Sequence, residues 1–390
     1  MTGTPVQERF RRTFGGLPHR VVRSPGRVNL IGEHTDYHDG FVLPAAIDLG
    51  TDVAVRRRDD GRLRVVAARL EAVDEVALHD LRFDDGPEWT QYVRGCAALL
   101  LSAGHDLSGA DLLIDGDLPI GGGLSSSASL EVGVTLALTT LSERSLDRVA
   151  LAELCRRVEN EIVGVRSGVM DQLAVACGVA GHAILIDCRT ASTTAVPFPA
   201  STRVLILDSA VPRTLAGSAY NRRRDESAAA LHAIQQVAPN VATLRDVTPQ
   251  LLSAVDERLD DVQRRRARHV VTENERVLEC AAALRRVDVE TVGRLMTQSH
   301  ASLRDDYEVS GPELDALVAS ALDTPGVFGA RLTGAGFGGC VVALLAADRA
   351  DEAAPAILRR YGDATGRDGT AYLCQASDGA HVAWEDHTAR

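Results

Sequence analysis

Residues 118–129 read Leu-Pro-Ile-Gly-Gly-Gly-Leu-Ser-Ser-Ser-Ala-Ser, and the apolar run Leu130, Val132, Val134, Leu136, Leu138 begins directly after them. The glycines Gly121, Gly122 and Gly123 let a backbone approach an anion closely, and the free amides of a helix N-terminus attract phosphate. One product of this pattern is a phosphate-cradling loop. The other is an ordinary Gly/Ser turn capping a core helix. The chain contains no lysine, so all 42 of its basic residues are arginine. A P-loop requires Lys beside Ser or Thr, and that mode of binding is excluded. Should the loop hold a nucleotide, amides, a metal ion and arginine must replace the lysine.

The 390 residues, 45% of them hydrophobic and 25% charged, suffice for two domains with real cores. A net charge of −12 argues against a broad nucleic-acid footprint. The seven cysteines are scattered without C-x-x-C spacing, which points to reduced, mostly buried thiols. No apolar run approaches the roughly 20 residues that span a bilayer, and the first residues carry no apolar signal core. The expectation is a cytoplasmic protein with neither nucleic-acid nor membrane partners. The oligomeric state is open, a monomer among the options.

Strands are expected at 20–23, 40–43, 51–55, 110–114, 182–186, 202–207 and 341–345, and helices at 90–102, after the Gly/Ser loop, and at 147–164. Residues 193–201, with Pro197 and Pro199, read as irregular and mark a domain boundary; mainly helical text follows to about 322. The mixture fits α+β better than an alternating parallel sheet.

Four further segments concentrate functional residue types. Glu33, His34 and Asp36 crowd beside a turn, poor material for a core; they suit a polyhydroxylated ligand, a metal, or a solvated loop. Asp171 lies between apolar stretches, so it must be paired or functional, or else cap a helix starting at Gln172. Upstream, Glu159 is either a solvent-facing charge or a Mg²⁺ ligand. Tyr220 stands beside the cluster Arg222, Arg223, Arg224, which, like 264–268, reads first as an ion-paired face. Last, 334–339 holds four glycines among six residues, the composition of a close backbone approach or a strand-end bulge.

Together these segments resemble the galactokinases, in the superfamily that includes homoserine, mevalonate and phosphomevalonate kinases. Residues 26–37 look like the signature peculiar to galactokinases; 118–129, 168–172, 299–314 and 332–340 are similar to other segments of the family, in the same order. The resemblance implies a two-domain α+β fold of that superfamily, divided as 1–198 and 199–390, with the site in the cleft between. It implies an ATP-dependent sugar 1-kinase that makes α-D-galactose 1-phosphate. Asp171 would be the catalytic carboxylate and Arg27 the transition-state stabiliser. Glu33, His34, Thr35, Asp36, Gly168 and Tyr220 would bind the sugar. Gly121, Gly122, Gly123, Leu124, Ser125, Ser126 and Ser127 would wrap the ATP phosphates, with Ser127 and Glu159 on Mg²⁺. Ser167 departs from the Cys found in many relatives, at a position with no catalytic role in the pattern. Two rivals remain at this point: a kinase for N-acetylgalactosamine or L-arabinose, and a sugar- and ATP-binding sensor.

Overall fold

The computed structural model describes residues 4–119, 122–142, 145–212 and 216–386. Its strands are β1 (Arg20–Asn29), β2 (Phe41–Val42), β3 (Pro44–Arg58), β4 (Arg62–Ala67), β5 (Ala72–Ala77), β6 (Gly109–Gly116), β7 (His182–Asp187), β8 (Ser192–Pro197), β9 (Thr202–Asp208), β10 (Val327–Leu332), β11 (Cys340–Ala346), β12 (Thr370–Cys374) and β13 (His381–Glu385). They form a six-stranded sheet ordered β13-β1-β3-β6-β4-β5, a four-stranded sheet β10-β11-β9-β12 and a three-stranded sheet β2-β7-β8. Only β4 and β6 pair in parallel among the described strands. Antiparallel sheets with segregated helices are the α+β architecture expected from the sequence.

The apolar run Cys340–Leu345 shows why β11 is central: every residue of it is buried, as both faces of an interior strand require. The helix Ser126–Thr139 is buried almost all round, and its first turn opens on a cavity. The expected helix at 147–164 starts where the Asp147 carboxylate caps the amides of Val149 and Ala150. It runs regularly over Arg148–Arg157 and then widens into a π-helical turn, Val158–Val163, closed by Gly164 at φ 85°. Such wide turns recur at functional sites, and this one carries Glu159.

Two expectations change. Residues 192–197 are not irregular but form β8, which among the described strands pairs only with β7; Pro197 is tolerated because it ends an edge strand. Asp171 is no N-cap, since the short helix Met170–Cys177 begins one residue earlier. None of the seven cysteines forms a disulfide, and five are buried. No described helix is long and apolar enough to cross a membrane.

A division near 198 is our proposal, supported by the sheets: strands up to β8 fill two of them, and β9 to β12 fill the third. β13 returns to the first. The halves are not separate cores, because Val28, Leu30 and Ile31 pack in one buried cluster with Val277, Leu295, Met296 and Val342.

Candidate active site

β1 carries a register shift between Pro25 and Gly26, beyond which its backbone also reaches the Gly/Ser loop: the Arg27 N–H donates to the Leu124 carbonyl at 3.1 Å. The Arg27 side chain is buried and grips Asp171 with two bonds, Nε to Oδ1 and Nη2 to Oδ2, both 2.8 Å; its Nη1 donates to the Gly123 carbonyl at 2.8 Å. Ser125, held at φ 57°, adds a hydroxyl bond of 2.5 Å to Oδ2 of Asp171. Burial works against the Arg27 charge, but the carboxylates of Asp171 and Glu33 outweigh it, so the guanidinium stays protonated. A carboxylate offers about four acceptor positions. Three on Asp171 are filled, leaving one on Oδ1. The Asp171 side chain is 29% exposed against 5% for Arg27, so the carboxylate is the member of the pair that the cavity reaches.

Next to it, the Ser127 hydroxyl donates to Oε1 of Glu159 at 2.9 Å, and the Ser167 hydroxyl donates to Oε2. Burial raises the Glu159 pKa, with the Asp171 charge pushing the same way and the serine hydroxyls opposing. Ser167, the position that departs from the family pattern, thus holds the second oxygen of Glu159.

The 33–36 loop is not the solvated loop its composition allows. Glu33, His34 and Thr35 are all buried. Oε1 of Glu33 accepts from the Gly334 N–H at 2.6 Å and the Thr333 hydroxyl at 3.2 Å, with Arg331 3.4 Å away. His34, at φ 61°, places Nδ1 2.8 Å from the Tyr37 hydroxyl and Nε2 3.2 Å from the Ala335 carbonyl. Asp36 presses on Gly168 so closely that a Cβ there would collide with its carboxylate, which explains the glycine. Gly336 is needed for a similar reason: a Cβ would meet the Val309 carbonyl, so the glycine-rich loop serves a close approach to another loop.

Arg27, Glu33, His34, Asp36, Gly168, Asp171 and Tyr220 line one cavity of about 500 Å³, and Gly123, Ser125, Ser126, Ser127 and Glu159 line it too. Three of the expected ligands are absent from that lining. Thr35 spends its hydroxyl on the carbonyls of Gly32 and Phe41 and does not line the cavity. The Leu124 side chain lies in the apolar core, and the Gly122 carbonyl accepts from the Cys340 thiol at 2.7 Å. Gly121 lies outside the described residues.

A second cavity of about 420 Å³ shares Glu88, Tyr92, Ser126 and Ser127 with the first and is walled by Leu70, Trp89, Leu118 and Leu130. It can take a flat apolar ring beside the Gly/Ser loop. Its walls come from strands and helices far apart in sequence, so no local motif marked it. Trp89 and Tyr92 share a face of one helix, the only signal available.

The galactokinase galactose-binding signature matches residues 8–57, the GHMP kinases N terminal domain 91–179 and the GHMP kinases C terminal domain 280–364. The galactokinase of Roseiflexus sp. (strain RS-1) is 50% identical over 374 residues, covering 96% of this chain and 95% of that protein. That of Chloroflexus aggregans is 46% identical over 375 residues, 96% of each. Among solved structures, Lactococcus lactis galactokinase complexed with galactose superposes with a TM-score of 0.92 at 38% identity, covering 96% of this chain and 98% of that one. Methanococcus jannaschii mevalonate kinase, at 20% identity and a TM-score of 0.63 over 92% and 99% of the two chains, shares the fold alone.

Proposed function

The chain belongs to the galactokinase family, and we infer from that membership that it transfers the γ-phosphoryl group of ATP to the anomeric hydroxyl of D-galactose, giving α-D-galactose 1-phosphate and ADP. The observation that carries the reading is the doubly hydrogen-bonded Arg27–Asp171 pair set between the 33–36 loop and the start of a helix. The vacant acceptor position on Oδ1 of Asp171 suits the proton of the anomeric O–H. As that proton moves to Asp171, the sugar oxygen bonds to phosphorus, and the bond from phosphorus to the ADP oxygen breaks with its electron pair. The Arg27 charge and the amides at the start of helix 126–139 face the charge that migrates. An intact pair of this kind favours an enzyme over a sensor. The direct test couples ADP release to a visible signal with galactose present and identifies the product by ³¹P NMR. No galactose-dependent ADP release, or a phosphate on another hydroxyl, overturns the assignment.

Mg²⁺ belongs to the same reading. Hydroxyl and carboxylate oxygens meet at Ser127 and Glu159, and no group of three or more His, Cys, Asp or Glu able to hold a metal exists among the described residues. That suits an ion bound by few protein oxygens, completed by phosphates and water. Bound there, Mg²⁺ would neutralise phosphate charge. Glu159→Gln is expected to raise the Mg²⁺ concentration needed for half-maximal rate by about tenfold, with galactose KM little changed. An unmoved Mg²⁺ titration sends the ligand assignment elsewhere.

Asp36, assigned to the sugar hydroxyls, gives the reading a pH dependence. Burial first, then the charges of Asp171 and Glu33, push its pKa up to about 7, against the Tyr37 N–H and Arg224. Sugar hydroxyls that donate to a carboxylate favour its ionised form, so affinity is lost as pH falls through that value. Galactose KM should rise about tenfold from pH 8 to pH 6, and Asp36→Asn should flatten the profile. A flat wild-type profile removes Asp36 from the hydroxyl-reading role.

A further inference from the structure

We propose that Tyr307 is a positioning residue for the sugar loop, acting through a one-way hydrogen-bond chain from Tyr307 to Tyr37 to His34, and that the His34 imidazole serves this chain instead of the sugar. The inference rests on the galactose reading above.

The direction of the chain follows from counting protons. A carbonyl oxygen can only accept, so Nε2 of His34, 3.2 Å from the Ala335 carbonyl, must carry a proton. Burial holds the His34 pKa down to about 3, so the ring is neutral and has only that one. Nδ1 therefore accepts, and the Tyr37 hydroxyl at 2.8 Å must donate to it. With its single proton so placed, the Tyr37 oxygen can only accept from the Tyr307 hydroxyl, also at 2.8 Å. The opposite tautomer would set a nitrogen lone pair against the Ala335 oxygen. Both nitrogens of His34 are thus engaged by protein, and neither is left for a sugar hydroxyl.

Tyr307 is built as an anchor. It is fully buried, its ring lies 4.8 Å from that of His34 and 4.6 Å from that of His269, and its carbonyl accepts from Nε of Arg223 at 2.7 Å. Arg266, itself buried, grips the residues on either side, the Asp306 carbonyl and the Glu308 carboxylate, both at 2.6 Å. The other end of the chain needs such an anchor. His34 sits in the left-handed region that non-glycine residues seldom adopt. Glu33 precedes it and Asp36 follows two residues on, so what holds His34 also holds the backbone from which those two carboxylates project.

Tyr307→Phe keeps the ring and deletes the first proton of the chain. A lost hydrogen bond of this kind corresponds to roughly a 3- to 10-fold change, expected here as a rise in galactose KM with ATP KM and kcat changed by less than about twofold. Tyr37→Phe cuts the next link, and adding Tyr307→Phe to it should cost nothing further, because the chain is already broken. Independently of turnover, ¹⁵N-histidine NMR near neutral pH should show His34, assigned by its loss in His34→Gln, as the neutral Nε2–H tautomer. The proposal is overturned by an Nδ1–H or charged ring, by an unchanged galactose KM in Tyr307→Phe, by an equal rise in ATP KM, or by additive effects in the double variant. Failure of the wild-type protein to phosphorylate galactose would instead remove the functional reading, and the tautomer would still decide the chain.

Discussion

Asp171→Asn is expected to lower turnover by at least about 10²-fold, the lower end of what a positioned proton acceptor contributes, while galactose still binds. The amide keeps the shape of the carboxylate, but Arg27 donates to both oxygens, so the N–H₂ group faces a guanidinium donor in either orientation. One of the 2.8 Å bonds is lost either way, and with the N–H₂ at the Oδ1 position the vacant acceptor position is lost as well. Arg27, only 4% exposed, would also lose the charge that compensates it. Removing one partner of a buried pair is destabilising by about 3–5 kcal/mol, an upper figure here because the Asp171 side chain is partly open to solvent. A lower melting temperature is therefore part of the expected result. The measurement pairs kcat with calorimetric galactose binding on protein shown by circular dichroism to be folded. Turnover near the wild-type value would end the assignment of Asp171 as the catalytic carboxylate.

Glucose should be a far poorer substrate than galactose. The two differ only at the C4 hydroxyl, and a site built to hydrogen-bond a hydroxyl rejects analogues that misplace it by up to about 10⁴ to 10⁵-fold in kcat/KM. Such rejection needs acceptors that cannot follow a displaced hydroxyl, and both candidates are held. Oε1 of Glu33 is fixed by the Gly334 N–H, and the Asp36 carboxylate is wedged against Gly168. N-acetylgalactosamine keeps the C4 hydroxyl but adds bulk at C2 and should fail sterically. The comparison is kcat/KM for galactose, glucose, N-acetylgalactosamine and L-arabinose. Should N-acetylgalactosamine or arabinose outperform galactose, the galactose specificity falls and the phosphoryl-transfer chemistry stands.

The parts of this site that could be read in the sequence are those whose neighbours in space are also neighbours in the chain. The Gly/Ser loop and its helix, the helix carrying Glu159, and the strands β6, β7, β9 and β11 each announce themselves within about ten residues, through periodicity or a capping residue. The 33–36 loop defeats such reading. Its charges invite a solvated turn, and what buries them arrives from 301 positions away at Gly334 and 270 at Tyr307. The same holds for Asp171, whose pairing with Arg27 spans 144 positions: the sequence says that it needs a partner but not which one. A motif groups Thr35 with the sugar ligands by order in the chain, whereas its hydroxyl donates to the carbonyls of Gly32 and Phe41. The cavity beside Trp89 had no motif at all.

The place of β13 at the edge of the first sheet has a consequence for biosynthesis. β1, the strand that bears Arg27, is paired on one side by β3 and on the other by β13, with Arg20 opposite Glu385 and an ion pair between their side chains at 2.6 Å. Those two residues are 365 positions apart. A ribosome exposes β1 long before it exposes this second neighbour. Over that interval the nascent chain carries an open strand edge at Arg20–Arg23, the kind of edge that pairs with other chains when left uncovered. Loop closure over such a span is also slow. β13 acts as a late seal, and β1 gains its second row of hydrogen bonds only after the 365 positions between Arg20 and Glu385 have been made.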